Sequence, residues 1–214
     1  MRIFNRFSKG HLPLTRVEAF SDGVFAIIVT LLVLELKGPA LTDHNSVSEL
    51  SGRLIELAPK FLSWLISFII VCKFWLNQHQ VLAMAKYANY GLIWLNSIFL
   101  MFQSFVPFPT ALMGEYPENP LAVSFFGCVL AFNTLLFIML HAYVLRHLAK
   151  PELAAGRDPR IIVKSMIVKS MIGPAFYALG AASAWVNVHA AFALYLLTPL
   201  FFITPPGPSE GESK

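Results

Sequence analysis

The first apolar run of the chain is short and has a charge at each end. Residues 23–34, twelve in all, carry no charged side chain, while Asp22 precedes them and Glu35 follows them. As a helix this run would be about 18 Å long, whereas the hydrocarbon core of a bilayer is about 30 Å thick. The run can therefore cross a membrane only if the helix also carries the polar residues before it into the bilayer.

The composition of the whole chain indicates that it does cross a membrane. Of the 214 residues, 57% are hydrophobic and 13% are charged, whereas soluble domains carry about 25% charged residues. The apolar residues come in long runs, and none of these runs shows the alternation of polar and apolar residues that barrel strands need. We therefore predict an all-α integral membrane protein whose surroundings are the lipid bilayer.

Six apolar runs predict six membrane-spanning helices. Their predicted bounds are residues 16–36, 59–80, 88–112, 120–145, 165–185 and 188–203. The sixth run has sixteen residues, and because a span needs about 20, a five-span alternative treats the last two runs as one re-entrant hairpin. We predict one transmembrane domain over residues 1–204. The content of Pro, Gly, Ser and Glu predicts a disordered cytoplasmic tail over residues 205–214.

Basic residues predict the orientation of the chain. With the N-terminus in the cytoplasm, twelve Lys and Arg residues fall in inner segments, and only Lys37, Arg53 and Lys60 fall in outer ones. Such an excess marks the cytoplasmic side, so both termini are predicted to be cytoplasmic. Lys73 remains inside the second span. The net charge of +4 reflects this asymmetry, and no basic patch interleaved with aromatic residues suggests a nucleic-acid partner.

The first helix has local start and stop signals. Thr15 and Glu18 match a capping box at its start, and residues 37–39, Lys-Gly-Pro, predict its end. Such a helix is about 31 Å long and spans the bilayer. In the longest outer loop, Ser46 with Glu49 three residues on predicts a short, capped surface helix.

Polar side chains at the inner end of the first helix need partners. Glu18 and Asp22 lie four residues apart on one face and would repel each other. Hydrogen-bond donors must therefore lie nearby, unless both carboxylates are anchored among lipid headgroups. The end of the second span supplies candidate donors at the same depth: Trp75, Asn77, Gln78 and His79.

A stripe of small and apolar residues follows the first helix along its length. With 100° between successive residues, one face holds Arg16, Gly23, Ile27, Thr30, Leu31 and Leu34. A seam between two packed helices would have the same composition, since glycine permits close approach. The pattern alone therefore leaves both a packing seam and a pore lining open.

Several motifs resemble a known family of channels. The segment RVEAFSDG, residues 16–23, resembles the RxxxFSDG signature of the potassium channels called transmembrane protein 175, particularly their bacterial and archaeal members. Residues 67–68, SF, and residues 75–79, WLNQH, are similar to the SF…WxxHH end of that family's second helix. Residues 92–96 and 102–116 are similar to its third helix and outer turn.

The resemblance implies a homotetramer of six-helix subunits, in which the first helix of each subunit lines a central pore. The family's pore constriction is matched by Ile27, Leu31 and Leu34, and its hydroxyl position by Thr30. The network that supports the inner end of the pore helix is matched by Arg16, Phe20, Ser21, Asp22, Trp75 and His79. One family histidine is Gln78 here, and because an amide is not protonated, this position cannot supply the pH sensitivity that a histidine would.

The predicted function is a potassium-permeable cation channel that prefers K⁺ over Na⁺. No TVGYG segment occurs, so a ring of carbonyl oxygens is not available. The resemblance implies instead a hydrophobic constriction that selects by size and partial dehydration. We expect no cofactor, no bound metal beyond the permeating K⁺, and a place in a bacterial cytoplasmic membrane.

Other function classes are possible from the residues alone. A secondary transporter of a small ion or solute is the alternative, because helices three and four carry the polar residues Asn96, Gln103, Asn133 and Thr134. These side chains would equally serve as hydrogen bonds between helices. An enzyme is not expected, because the six histidines are scattered and no metal, nucleophile or phosphate-loop motif occurs. A purely structural membrane protein would leave the stripe unexplained.

Overall fold

The computed structural model describes residues 13–151 and 159–203, so the predicted tail lies outside the described residues. The described residues form a series of helices. In chain order these are α1 (Leu14–Leu34), α2 (Val47–Glu56), α3 (Ala58–Ala83), α4 (Tyr90–Ser104), α5 (Pro107–Glu115), α6 (Pro120–His147), α7 (Pro159–Ser170), α8 (Ile172–Ser183) and α9 (Val188–Ile203).

Five helical stretches of the described chain are long and apolar enough to cross a membrane. They are Leu14–Leu34, Ala58–Ala83, Tyr90–Glu115, Pro120–His147 and Val163–Ser183. The sixth predicted run forms α9 with the predicted bounds, and this apolar helix is shorter than the other five. An all-α membrane protein is therefore confirmed with five helices of spanning length, while a sixth crossing stays a prediction.

A proline rather than a threonine begins α1. The predicted capping box of Thr15 and Glu18 is wrong, because Thr15 lies inside the first turn and no side chain caps the helix. Pro13 occupies the N-cap position with φ −57°, a backbone angle that its ring enforces. The N–H of Arg16 then donates to the Pro13 carbonyl at 3.1 Å. At its other end α1 stops at Leu34, two residues before the predicted end.

Two prolines divide the third predicted span into α4 and α5. Pro107 and Pro109 lack the N–H groups that would bond to the carbonyls four residues earlier. The carbonyls of Gln103 and Phe105 accept instead from the residue three positions on, at 3.0 and 3.1 Å. Phe105 and Val106 keep right-handed helical φ and ψ values, so the prolines interrupt the helical ladder without unwinding a longer segment.

The fifth predicted span is also divided. α7 and α8 meet at Met171, whose φ of −66° and ψ of −14° remain in the right-handed helical region. α8 ends at Ser183, two residues before the predicted end, and Asn187 then caps α9. The carboxamide oxygen of Asn187 accepts the N–H groups of His189 and Ala190 at 2.9 and 3.3 Å.

The outer loop carries the predicted surface helix α2. The hydroxyl of Ser46 accepts the N–H of Glu49 at 3.2 Å, so the predicted cap is confirmed. The Glu49 carboxylate in turn accepts the N–H groups of Thr42 and Asp43 at 2.8 and 3.0 Å. These two backbone hydrogen bonds hold the pKa of Glu49 below its ordinary value, because they stabilise the charged carboxylate.

Phe99 of α4 lies at the centre of the first group of helices. Its ring is buried and meets Phe25 of α1, Phe74 of α3 and Phe137 of α6, with centroid distances of 6.3, 6.0 and 5.9 Å. Aromatic pairs at such distances add to the packing energy of the core. The cluster joins the helix that carries the predicted pore residues to three others.

α6 links this first group to the C-terminal helices. It packs against α4 and α5 on one side and against α8 and α9 on the other. Tyr195 of α9 is buried beside it, and its hydroxyl donates to the Val123 carbonyl at 2.9 Å. Gly127 and Gly180 make room for that ring, since a Cβ at either position would overlap it.

Candidate pore-lining face and the polar network behind it

One face of α1 is packed against the rest of the subunit. Its buried residues are Ser21, Phe25, Ile28 and Leu32. They are spaced by four, three and four positions, so they form a single stripe on a helix. α3, α4 and α5 all contact α1 and cover this packed face.

The opposite face of α1 is exposed in the described part of the subunit. Ile27, Leu31 and Leu34 have exposed fractions of 59%, 40% and 65%, and Thr30 is exposed as well. At Gly23 a Cβ would meet nothing within 4 Å. We call these residues together the open face. It holds the four residues predicted to line the pore, on the side of α1 away from the packed face.

Thr30 is the polar group of the open face. Its hydroxyl donates to the carbonyl of Ile27 at 2.8 Å. That bond uses the only proton of the hydroxyl and leaves the oxygen lone pairs as acceptors. The oxygen can therefore offer electron density to a cation.

Asp22 lies between the two faces and is held by the second span. The indole N–H of Trp75 donates to the Asp22 carboxylate at 2.8 Å. The ring of His79 lies beside that indole, with centroids 6.3 Å apart. Of the candidate donors from α3, Trp75 is thus the one that reaches Asp22 among the described contacts. A hydrogen bond to a charged acceptor is stronger than a neutral one.

A second network lies behind the packed face and is fully buried. The amide of Gln78 on α3 donates to Asn96 on α4 at 2.8 Å, and the amide of Asn96 donates to the Ser21 hydroxyl at 3.0 Å. Ser21 donates in turn to the Val17 carbonyl at 2.8 Å. All three side chains are at most 1% exposed. Donors and acceptors alternate along this chain, so it joins α1, α3 and α4 at one point.

Gln78 gives this network a fixed protonation state. A side-chain amide donates and accepts without titrating near neutral pH, unlike an imidazole. The sequence analysis treated Gln78 as a candidate donor to Asp22, and it grouped Asn96 with the midspan polar residues. It did not connect Gln78 with Asn96. A hydrogen bond between them depends on how α3 and α4 are rotated.

Three residues matched to the family's network stay apart from it in the subunit. The side chains of Arg16 and Phe20 are exposed, and His79 reaches the network only through its ring contact with Trp75. Glu18 is half-buried. Within the described part of the chain, the side chains of Arg16 and Glu18 make no hydrogen bond or ion pair.

Of the remaining midspan polar residues, Asn133 is the one that bonds to a second helix in the described part of the chain, whereas Thr134 bonds within α6. Asn133 donates to the Phe102 carbonyl of α4 at 3.2 Å, and Thr134 donates to the Leu130 carbonyl at 2.8 Å. Gln103 is buried, and neither of its side-chain polar atoms bonds to a described residue. Among the described residues, no group of three or more His, Cys, Asp and Glu is placed to hold a metal ion.

Known proteins resemble this chain in both sequence and fold. The family model of the endosomal/lysosomal potassium channel TMEM175 matches residues 16–107. A potassium channel of Chamaesiphon minutus is 35% identical over 187 residues, which cover 84% of this chain and 90% of that protein. The chain belongs to the TMEM175 family. The family match covers α1 from Arg16 onward, both polar networks and, at its end, Pro107.

Other TMEM175 relatives agree in length and fold. A potassium channel of a Chryseobacterium species is 31% identical over 195 residues and covers 89% of this chain and 92% of its own. The crystal structure of a lysosomal potassium-selective channel TMEM175 homolog from Chamaesiphon minutus superposes with a TM-score of 0.72. It is 31% identical and covers 88% of this chain and 95% of its own.

TMEM175 proteins of animals match over a smaller part. The human protein, named an endosomal/lysosomal proton channel, is 32% identical over 137 residues, which make up 59% of this chain and 27% of that protein. The family consists of ion channels, so the prediction that this chain is not an enzyme is confirmed. Membership also favours a channel over the transporter alternative.

Proposed function

We propose that this chain is the subunit of a potassium-permeable channel in which four copies surround a central pore lined by the open face of α1. The observation that carries the proposal is the uncovered apolar surface of Ile27, Leu31 and Leu34 on the helix where the family match begins. The open face is exposed in the described part of the subunit, so further copies are needed to enclose a pore around it. Two of the bacterial relatives are named potassium channels.

The proposed selectivity comes from size and dehydration. Four copies of Ile27 and of Leu34 form apolar collars at two depths, about 10 Å apart along the helix. A closed collar excludes water, and an open one admits an ion that has lost part of its hydration shell. K⁺ holds its water less tightly than Na⁺ does, so the loss costs K⁺ less. The Thr30 oxygens replace part of that water. Discrimination is therefore weaker than in a cage of carbonyls.

The two networks support this function by holding the rotation of α1. Ser21 is fixed from behind by Asn96, and Asp22 is fixed at the side by Trp75. A rotation of α1 by one residue, 100°, would break both bonds and replace Ile27 by its neighbour in the lumen. The position of the collars therefore depends on hydrogen bonds made at the inner end of the helix.

The same proposal assigns an orientation. Both termini lie in the cytoplasm of a bacterial cell and α2 lies outside, because basic residues are concentrated on the side of the termini. The homotetramer, the sixth crossing by α9 and the cytoplasmic position of Arg16 belong to the proposal as well.

Cation flux from liposomes tests the proposal. Purified protein is reconstituted, and the efflux of K⁺, Na⁺ and a large organic cation is compared for wild type, Ile27→Asn and Val33→Asn. The first variant should raise the flux and reduce the preference for K⁺, because a polar collar is wetted more easily. Val33 is exposed on α1 outside the open face, so Val33→Asn should leave both quantities unchanged.

Two outcomes would count against the pore. Unchanged flux and selectivity in Ile27→Asn would remove Ile27 from the constriction. The absence of cation flux from folded wild-type tetramers, with their mass verified in detergent, would mean that the open face is a packing seam. Transport assays on variants of Asn133 and Gln103 would then be the next step.

A further inference from the structure

A cavity of about 230 Å³ lies between α3, α6, α8 and α9. The described residues that line it include none from α1, so it is separate from the open face. Its polar lining includes Lys73, Asn77 and Gln80 of α3 and His141 of α6, together with hydroxyl groups of serine and threonine, and aromatic rings of Phe137 and Tyr177 form part of its apolar wall. Polar groups from different helices thus converge beside an apolar surface.

The cavity extends from the middle of α3, where Ile70 lines it, to Met84 just beyond the end of that helix. Lys73 is ten residues before the end of α3 and His141 is six before the end of α6. These separations correspond to about 15 and 9 Å along the helices. The two helix ends lie side by side, because Ala85 pairs with Ala149 in an isolated β-bridge. This is also the predicted cytoplasmic end, where basic residues are concentrated.

The chemistry of the lining suits an anion. Lys73 supplies a positive charge, Asn77 and His141 supply N–H donors, and no acidic residue is among the described residues that line the cavity. An ionisable residue within a membrane span usually marks a functional site, and basic pockets between spans on the cytoplasmic side are typical binding sites for lipid phosphates. Phosphate oxygens accept several charge-assisted hydrogen bonds at once.

The size and shape of the cavity limit the ligand. Pockets for complete small molecules usually measure about 300–1,000 Å³, and this one is smaller. It can hold a compact headgroup while acyl chains remain outside in the bilayer. Gln80 is exposed at the edge of the lining, whereas Thr134 and Tyr177 are buried within it, so the cavity has an open side.

We propose that this cavity binds a phosphate group, with Lys73 as its charge partner and Asn77 and His141 as hydrogen-bond donors. A membrane phospholipid with a negative headgroup and free phosphate share this chemistry. An occupant would connect α3 to α6, α8 and α9. Because α3 also carries Trp75 and Gln78, such a ligand would stabilise the helix that holds α1 in place. The site is independent of the proposed pore and is tested by binding rather than by flux.

The test measures thermal unfolding and lipid retention of the full chain after delipidation in an uncharged detergent. Phosphatidylglycerol, phosphatidylcholine and inorganic phosphate are added separately to wild type, Lys73→Met and Lys86→Met. Lys86 is exposed just beyond the end of α3 and does not line the cavity, so Lys86→Met is the matched control. Phosphatidylglycerol should raise the unfolding midpoint of wild type and Lys86→Met, and Lys73→Met should lose about tenfold or more in apparent affinity.

The outcomes separate the two sources of phosphate. A Lys73-dependent shift with phosphatidylglycerol alone supports a lipid headgroup, and the same shift with inorganic phosphate supports a free anion. Equal shifts with phosphatidylcholine and phosphatidylglycerol would overturn the proposal, as would equal affinities of Lys73→Met and wild type. If Lys73→Met does not fold, Lys73→Arg should keep the binding and His141→Leu should weaken it, and the reverse pattern would overturn the proposal.

Discussion

Ile27 and Ile28 are neighbours in α1 with the same side chain and opposite surroundings. Ile27 is 59% exposed, whereas Ile28 is 1% exposed and lies in the hydrophobic core. One helical step of 100° separates them. Hydrophobicity therefore does not distinguish the packed face of α1 from its open face. The packed face contacts an aromatic cluster and a buried amide, whereas the open face remains exposed among the described residues of its own subunit.

The membrane explains why both faces can be apolar. In lipid, helices gain little hydrophobic free energy by associating, so close packing and hydrogen bonds between helices decide which face is covered. Phe25 on the packed face meets Phe99, and Ser21 bonds to Asn96. On the open face the hydroxyl of Thr30 donates within α1, to the carbonyl of Ile27. This difference leads to three predictions, from the largest effect to the smallest.

The largest effect is expected from a pair of identical substitutions on the two faces. Ile28→Ala should lower the free energy of unfolding of the subunit by about 2–5 kcal/mol, because it leaves a cavity in the core. Ile27→Ala should change that free energy by less than about 0.5 kcal/mol and should increase K⁺ flux instead. Unfolding in a denaturing detergent and liposome efflux measure the two quantities. Equal losses of stability would show that the two faces do not differ.

A smaller effect is expected from the network behind the packed face. Gln78→Leu removes the donor to Asn96 and leaves a buried carbonyl oxygen without a partner, which costs about 1–3 kcal/mol. Gln80→Leu, at an exposed position of the same helix, should cost less than about 0.5 kcal/mol in lipid-free detergent. The comparison uses the same unfolding assay. A neutral Gln78→Leu would mean that packing alone positions α1.

The smallest effect belongs to the outer loop, which is part of neither face. The folded-state pKa of Glu49 is lowered by the backbone N–H groups of Thr42 and Asp43. The stabilisation is therefore complete above the ordinary pKa of the carboxyl group and is lost as the pH falls through the lowered value. Amide hydrogen exchange at residues 42 and 43 is measured in wild type and in Glu49→Gln at each pH. The wild-type amides should be protected relative to the variant only at pH values above the lowered pKa of Glu49. Protection that stays constant as the pH falls below that pKa would contradict this assignment. K⁺ flux should not change with the protonation of Glu49.

Features that depend on neighbouring residues were predictable from the sequence. The bounds of α9 and the cap at Ser46 both follow from local chemistry: apolar composition and a side-chain acceptor. The exception is the start of α1. The pattern of Thr15 and Glu18 satisfies a capping box, but Pro13 sets the backbone earlier and places Thr15 inside the helix.

Partnerships between helices were predictable only as sets of candidates. Four side chains at the end of α3 had the right depth to reach Asp22, and the structure selects Trp75 for Asp22 and gives Gln78 to Asn96. Helical periodicity places residues on faces of one helix, but it carries no information on the rotation of the next. The division of the fifth span at Met171 was not predicted, although Pro174 marks it in the sequence. The ring nitrogen of Pro174 has no N–H to donate to the carbonyl of Ser170, the residue at which α7 ends.

The sequence by itself determined that this chain is an α-helical membrane protein, and it placed Ile27, Thr30, Leu31 and Leu34 on one stripe of the first helix. Only the tertiary structure decided that this stripe is the uncovered one. The physical reason is that apolar faces of a helix in lipid have similar free energies until specific partners meet one of them. Phe99, Asn96 and Trp75, which are distant in sequence from α1, are those partners.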